Sequence, residues 1–455
     1  GRVNVRPRVV LGCCVLLAVA IACTSETVTV TAPPSGGGSS SPAGEPLAIP
    51  AIRPGGAATA AGAIRSLCEP VDVPEPAPAS ADEVPEEIAA VMDQVEQVRG
   101  LTFERAPVAE AIDDQEMDRR LAENFETYYP QEPYARRTFA WRTIGVLPPD
   151  GDLREALRSY QEGQVIGFYD PATGELVYLG EGDIGLEERY VLAHELTHAL
   201  DDQHFDLTRL DDLAVACHDE AFEAALGAVE GSAQYFATEV LLEFPEIDLS
   251  DLGDLADALT SALGESQGPS DVPPFVQELQ LWPYLAGQAF MTERSMQGDD
   301  AAVDQALTTL PATTEQVLHP DRYPSDHPTE VDIPDLSQAL GPRWGDLDAM
   351  EVGEAWLAAM LHLRLDDATS DDAAEGWDGG VYRAWSDGED VVVVLRTAWD
   401  SPADADAFAT ALRSWIDGSE GPAEGLRDGD QVLLVAATDP ALLDDAIDEL
   451  DAPTI

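Results

Sequence analysis

The stretch HELTHALDDQHF, residues 194–205, holds three histidines and a glutamate. His194 and His198 are four apart, and Glu195 follows the first directly. Residues i and i+4 share a helix face, so both imidazoles can point at one ion. Neutral imidazole suits zinc, and a catalytic zinc takes three protein ligands and leaves its fourth position to water. Such an ion lowers the pKa of its water to about 7. Glu195 stands beside the open side, where it can act as general base and pass the proton to a leaving amine. The spacing therefore predicts a hydrolytic zinc centre.

Two residues compete to be the third ligand. His204 lies ten positions after His194, where the longer HExxHxxGxxH pattern places its last histidine. That pattern needs a glycine to turn the chain, and here the position is Asp201. Aspartate adopts positive φ at a cost that glycine avoids. Met291 and Met296 read as helix residues, not as a methionine turn downstream. Glu230, in AVEGSAQ on a second long helix, would complete a His2Glu set. Gly231 and Ala233 beside it are small enough to let two helices approach. The residues favour Glu230, with His204 as the competing assignment and otherwise a loop-packing side chain.

These groups need a scaffold. LEERYVLAHELTHALDD reads as a helix without internal Pro or Gly. VIGFYDPATGELVYLG before it reads as a hairpin, with strands at Val165–Tyr169 and Glu175–Leu179 around a DPATG turn. Glu175–Leu179 would be the sheet edge that pairs with an extended substrate. Amphipathic helices are expected at EEIAAVMDQVEQVRGL and DDQEMDRRLAENFETYY, and a further one at QLWPYLAGQAFMTERSMQGDDAAVDQAL. Beyond about residue 340 the pattern changes. MEVGEAWLAAMLHLRL reads as a helix and GVYRAWSDGEDVVVVLRTAW as a second hairpin. A helix capped by Ser401 with Pro402 at its first position follows, then the strand DQVLLVAATD and a last helix. His362 falls on a helix face, as packing or solvent contact. The class is α+β: a body at 81–340 with a small sheet before the active-site helix, and an accessory α+β unit at 341–455.

Composition bounds the rest. Of 455 residues, 87 are acidic and 24 basic, a net charge of −63. Binding nucleic-acid phosphates needs a basic surface, so nucleic acid is excluded as a partner. GRVNVRPR followed by the apolar run Val9–Ala22 is a secretory leader pattern, too short to span a bilayer comfortably. It ends AIAC, which resembles a bacterial lipobox: residues 1–22 would be removed and Cys23 lipidated. Residues 23–80, rich in Pro, Gly, Ser and Ala, read as a tether from that membrane anchor. Cys68 and Cys217 are the cysteines beyond the leader, and in an exported chain they are expected to be bridged.

HELTHALDDQHFDL, AVEGSAQ and TTEQVLHPDRY together resemble a group of exported bacterial HExxH proteins of the gluzincin type, from about Val165 to Tyr323. The resemblance implies a zincin fold, His194, His198 and Glu230 as zinc ligands, and Glu195 as base. Many gluzincins carry an acid four residues after the third ligand to orient a histidine. Here that position is Gln234, and Asp202, one turn beyond His198, could take the role instead. His319 and Tyr323 are candidates to stabilise an oxyanion.

The expectation is an extracytoplasmic, lipid-anchored zinc metallopeptidase acting on peptide or protein substrates. The rival readings are a non-catalytic zincin-like envelope binding protein, and a zinc amidase or esterase acting on small or cell-wall substrates. An intact Glu195 speaks against the first, since a purely structural site has no use for a base there.

Overall fold

The computed structural model describes residues 47–68, 84–161, 165–180, 184–244, 272–450 and 452–455, together with the backbone of 16–19. The expected lipidation site Cys23 and the rest of the leader-like run lie outside the described residues, as do positions 23–46 and 69–80 of the expected tether. No helix among the described residues is long and apolar enough to cross a membrane.

The chain is α+β, with two separate sheets. The first holds β1 (Leu16–Val19), β2 (Val108–Ile112), β3 (Val165–Asp170) and β4 (Glu175–Leu179), in the order β1-β3-β4-β2. The hairpin forms as its pattern predicts, with Asp170 opposite Glu175 across a turn closed by Gly174 at φ 71°. Its strand β4, however, is not an edge. β2 pairs with it in parallel, from Val108↔Glu175 to Ile112↔Leu179. VAEAI carries too little apolar alternation to announce a strand, so the sequence hid the partner that covers β4. Both β3 and β4 pack against the helix that carries His194 and His198.

Helices make the remainder of the first part of the chain. They are α1 (Ala60–Leu67), α2 (Glu86–Arg99), α3 (Asp114–Tyr128), α4 (Gln131–Ile144), α5 (Leu153–Gln161), α6 (Leu186–Phe205), α7 (Arg209–Val215), α8 (Asp219–Glu243), α9 (Pro274–Thr308) and α10 (Thr314–Leu318). The α2 stripe Ile88, Val91 and Val95 is buried against Leu192, Leu196 and Leu200 of α6. Part of the expected tether is folded. The α1 segment buries Ala60, Ala63 and Ile64 and is held by Ala57 N to Asp346 Oδ2 at 2.7 Å and Ala60 N to Asp332 Oδ1 at 2.8 Å. Its end is tied by a disulfide between Cys68 and Cys217.

The C-terminal sheet holds β5 (Gly345–Glu351), β6 (Trp377–Ser386), β7 (Val391–Trp399), β8 (Ala423–Asp428) and β9 (Gln431–Ala437), in the antiparallel order β5-β6-β7-β9-β8. Around it lie α11 (Ser337–Leu340), α12 (Glu354–His362), α13 (Asp367–Ala374), α14 (Pro402–Asp417) and α15 (Pro440–Leu450). Ser401 caps α14 through Ala403 N and Asp404 N. GDLDAME is a strand, and the helix read from MEVG onward starts only at Glu354. Asp346 and Asp348 are tied into this sheet by polar contacts. Asp346 pairs with the buried Arg383 at 2.7 Å, and Asp348 accepts the Tyr382 hydroxyl.

One apolar core runs across residue 340. Trp141 of α4, Phe275 of α9 and Trp356 of α12 meet edge to face at 5.2 Å centroid spacings, and Trp141 Nε1 donates to Tyr382 Oη at 3.2 Å. The C-terminal sheet is thus packed into the body rather than strung behind it.

Candidate metal centre

Helix α6 is buried on every side through its middle turns, from Val191 to Asp202. Leucines face α2, and the polar face His194, Glu195 and His198 is turned inward as well. Strand β3 lies close on it: a Cβ on Gly167 would sit 2.7 Å from Val191 and 3.6 Å from Glu195 Cγ. Helix α8 crosses the other side. Ser232 Oγ donates to Asp201 Oδ2 at 2.6 Å, and Arg99 Nε of α2 donates to Asp201 Oδ1 at 2.8 Å. Asp201 therefore locks three helices together. It does not mark a turn.

That packing delivers Glu230 to the histidines. His194 Nε2 and His198 Nε2 are 3.0 Å apart, and Glu230 Oε2 lies 3.2 Å from the first and 3.4 Å from the second. His194 and Glu230 are each 1% exposed, and His198 and Glu195 not at all. Ligand atoms around a tetrahedral ion with bonds of about 2.0–2.1 Å stand about 3.3–3.4 Å apart. The three atoms already form a triangle of that size. A buried carboxylate converging on two imidazole nitrogens leaves its charge uncompensated unless a proton or a cation is shared. The donor set, two nitrogens and one oxygen, fits a divalent zinc.

Electrostatics at the site agree with this arrangement. Burial holds His194 below its ordinary value, against the pull of its Glu230 hydrogen bond. Burial opposes charge on Glu230, yet the two imidazoles outweigh it and keep the carboxyl below its ordinary value. Gln234, four residues after Glu230, hydrogen-bonds the His194 side chain and accepts the Tyr190 hydroxyl. An amide thus serves where an acid is the usual choice. Asp202 does not orient a histidine. Its carboxylate accepts Tyr169 Oη at 2.9 Å and Leu207 N at 3.1 Å, which finishes the helix end.

His204 is elsewhere. Helix α6 continues straight through Asp201 to Phe205. Six residues beyond His198, His204 points about 120° away and about 9 Å further along the axis. It is exposed, with Nε2 2.9 Å from Thr102 O. His319 and Tyr323 are also committed to structure. His319 Nε2 lies 2.8 Å from Glu354 Oε1, and Tyr323 Oη donates to Thr309 O at 2.6 Å. TTEQVLHPDRY is a clamp. Thr314 N and Oγ1 donate to Glu220 of α8 at 2.6 and 2.8 Å, while Arg322 pairs with Glu315 and Asp400.

The sequence reading missed Tyr284. Its ring lies stacked toward His194 at 6.3 Å, and burial, then the neighbouring Glu230, hold its hydroxyl well above the ordinary phenol value. Nothing in QLWPYLAGQ ties this tyrosine to HELTH; only the packing of α9 on α8 does. Tyr284 and Glu230 border a cavity of about 290 Å³. Its far wall comes from the C-terminal unit, through Met350, Gly353 and Trp356.

Residues 340–446 match a family described as a domain of unknown function, DUF8575. No curated protein and no solved structure matches the chain.

Proposed function

We propose that the protein is a zinc metallopeptidase of gluzincin type, with His194, His198 and Glu230 holding the ion. The observation that carries this reading is the buried triangle of ligand atoms with Glu195 on the same helix turn. Bound zinc would supply Lewis acidity, enough to make water a nucleophile at neutral pH. Glu195 takes the proton from the attacking water and returns it to the leaving amine. Tyr284 keeps its proton and stands beside the triad, so its hydroxyl can donate to the oxygen that gains charge in the transition state. Gln234 holds the His194 ring in register.

Strand β3 offers the route for an extended peptide. Its outer side pairs antiparallel with Leu16–Val19, within the leader-like run. Processing before Cys23 would remove that strand and open an edge next to Glu195, where a substrate can pair by its backbone. An exported peptidase tethered by a lipid at Cys23 is the setting this reading implies. The amidase or esterase alternative shares the same centre and differs in substrate alone.

The test uses purified mature protein. Metal content is measured, and a peptide library is digested with and without chelator. Glu195→Gln should keep about one zinc per chain and lose turnover by several orders of magnitude, because the proton path goes while the ligands stay. Near-normal cleavage by this variant, or by metal-free protein, would sink the reading.

A further inference from the structure

The cavity beside Glu230 carries more than the metal triad. Glu223 precedes Glu230 by two helical turns on α8, on the same face and about 10 Å along the axis. It lines the cavity, and its Oε1 is shut off from solvent without a hydrogen-bond partner among the described residues. The charged groups acting on it, Glu220 and Asp219, are both acidic. Burial, helped by these two, pushes Glu223 up to about 8. The one arginine lining the cavity is already matched: Arg137 pairs with Asp219 at 2.8 Å and Asp348 at 3.4 Å. Glu220 is satisfied by Thr314 and fixed against Gly353, where a Cβ would clash with its carboxylate. Glu223 is thus left facing the cavity with no cation of its own.

A second group is unsatisfied in the same cavity. Trp356 is 6% exposed and lines the wall opposite α8, and its indole N–H has no acceptor among the described residues. Tyrosine and tryptophan rings supply much of the remaining surface, including Tyr134, Tyr160 and Trp141. Aromatic faces attract a guanidinium or ammonium, most strongly where water is excluded. A half-buried glutamate with one oxygen shut off and unpartnered, a buried unpartnered N–H donor and aromatic walls together call for one ligand. It carries a cation on a long apolar stem and a carbonyl oxygen near the stem's root.

Resting on the peptidase reading above, we propose that this cavity is the recognition pocket for a basic side chain, arginine or lysine, of the peptide substrate next to the cleaved bond. Glu223 receives the charge, the rings flank the stem, and Trp356 donates to a backbone carbonyl.

The test separates the pocket from the chemistry. Full-length mature protein is stripped of metal and titrated with p-aminobenzamidine, a fluorescent cation, and with its neutral analogue p-aminobenzamide. Saturable binding of the cation alone is expected. Glu223→Gln should weaken it by about thirtyfold or more, since one partner of a buried charge pair is lost. Glu223→Lys, which places an ammonium in the pocket, should abolish it. Circular dichroism and melting of each variant show that the fold is retained. In parallel, metal-loaded protein is given peptides differing at one position beside the cleavage site, with Arg, Lys, norleucine, Phe or Glu. Cation binding with no cleavage of any peptide would keep the pocket and remove the peptidase reading. Absent cation binding, binding equal for the neutral analogue, indifference to both Glu223 substitutions, or cleavage with no preference for Arg and Lys would each overturn the pocket.

Discussion

Gly231 and Gly287 meet backbone to backbone: a Cβ on Gly231 would fall 2.2 Å from the carbonyl carbon of Gly287. A Cβ on Gly287 would in turn lie on the Gly227 carbonyl. Helices α8 and α9 therefore touch with no side chain between them, one residue from Glu230. The small residues flanking Glu230 do serve close approach, as their sizes suggest, but Gly231 faces α9 and not α6. This contact fixes the rotation of α8 and brings Tyr284 of α9 toward the histidines.

Gly231→Ala should accordingly cost about 1–3 kcal/mol of stability by overpacking. Zinc affinity should fall with it, because α8 must shift or turn to admit the methyl group. Denaturant melts of the metal-free variant, followed by zinc titration, measure the two effects separately. An unchanged midpoint would show that the helices have room the structure does not give them.

Glu230 and His204 make opposite predictions. On the proposed assignment Glu230→Gln removes the anionic ligand and should weaken zinc binding by more than about 100-fold. His204→Ala removes a single bond to the Thr102 carbonyl at the exposed end of α6 and should leave zinc content near that of the parent. Zinc is measured side by side after dialysis against a weak chelator. Loss from the His204 variant with retention in the Glu230 variant would reverse the ligand assignment.

The Cys68–Cys217 bridge closes a separation of 149 residues and ties the segment after α1 to the turn before α8. Reducing it should lower stability by about 3–5 kcal/mol in the chain-entropy view. The check is a melt with and without a thiol reductant, beside free-thiol titration of the denatured, unreduced protein. Two reactive thiols before reduction would contradict the bond.

His362 joins α12 to its neighbours, with Nδ1 2.5 Å from Glu278 Oε1 and Nε2 3.1 Å from Asp371 Oδ1. The hydrogen bond to Glu278 raises it to about 9, against the effect of burial. A histidine held more basic in the folded state contributes fully below its unfolded value, and the contribution is lost as pH rises through the folded one. Wild type should exceed His362→Ala by about 1 kcal/mol near pH 6, and the gap should close as pH passes about 9. A gap that widens with pH would show that the imidazole is held neutral.

Sequence alone carried the local parts of this protein. The β3–β4 hairpin, the helical frame of α6 and the Ser401 cap each follow from short-range rules: alternation, i to i+4 spacing, and side-chain caps. The pairing of His194 with His198 is of this kind, since both lie on one turn. The contribution of Glu230 was legible as a possibility because a carboxylate between small residues is unusual on a buried helix face. What completed the site was long-range. Asp201 looked like a failed turn and is the partner of Arg99 and Ser232, residues far from it in the chain. Strand β2 covers the supposed edge β4 from a segment whose residues scarcely alternate. Tyr284 and Trp356 reach the cavity only because α9 packs on α8 and α12 packs on α9. Such contacts depend on how whole elements share one core across residue 340, and burial of that core, not any local spacing, decides which side chains meet.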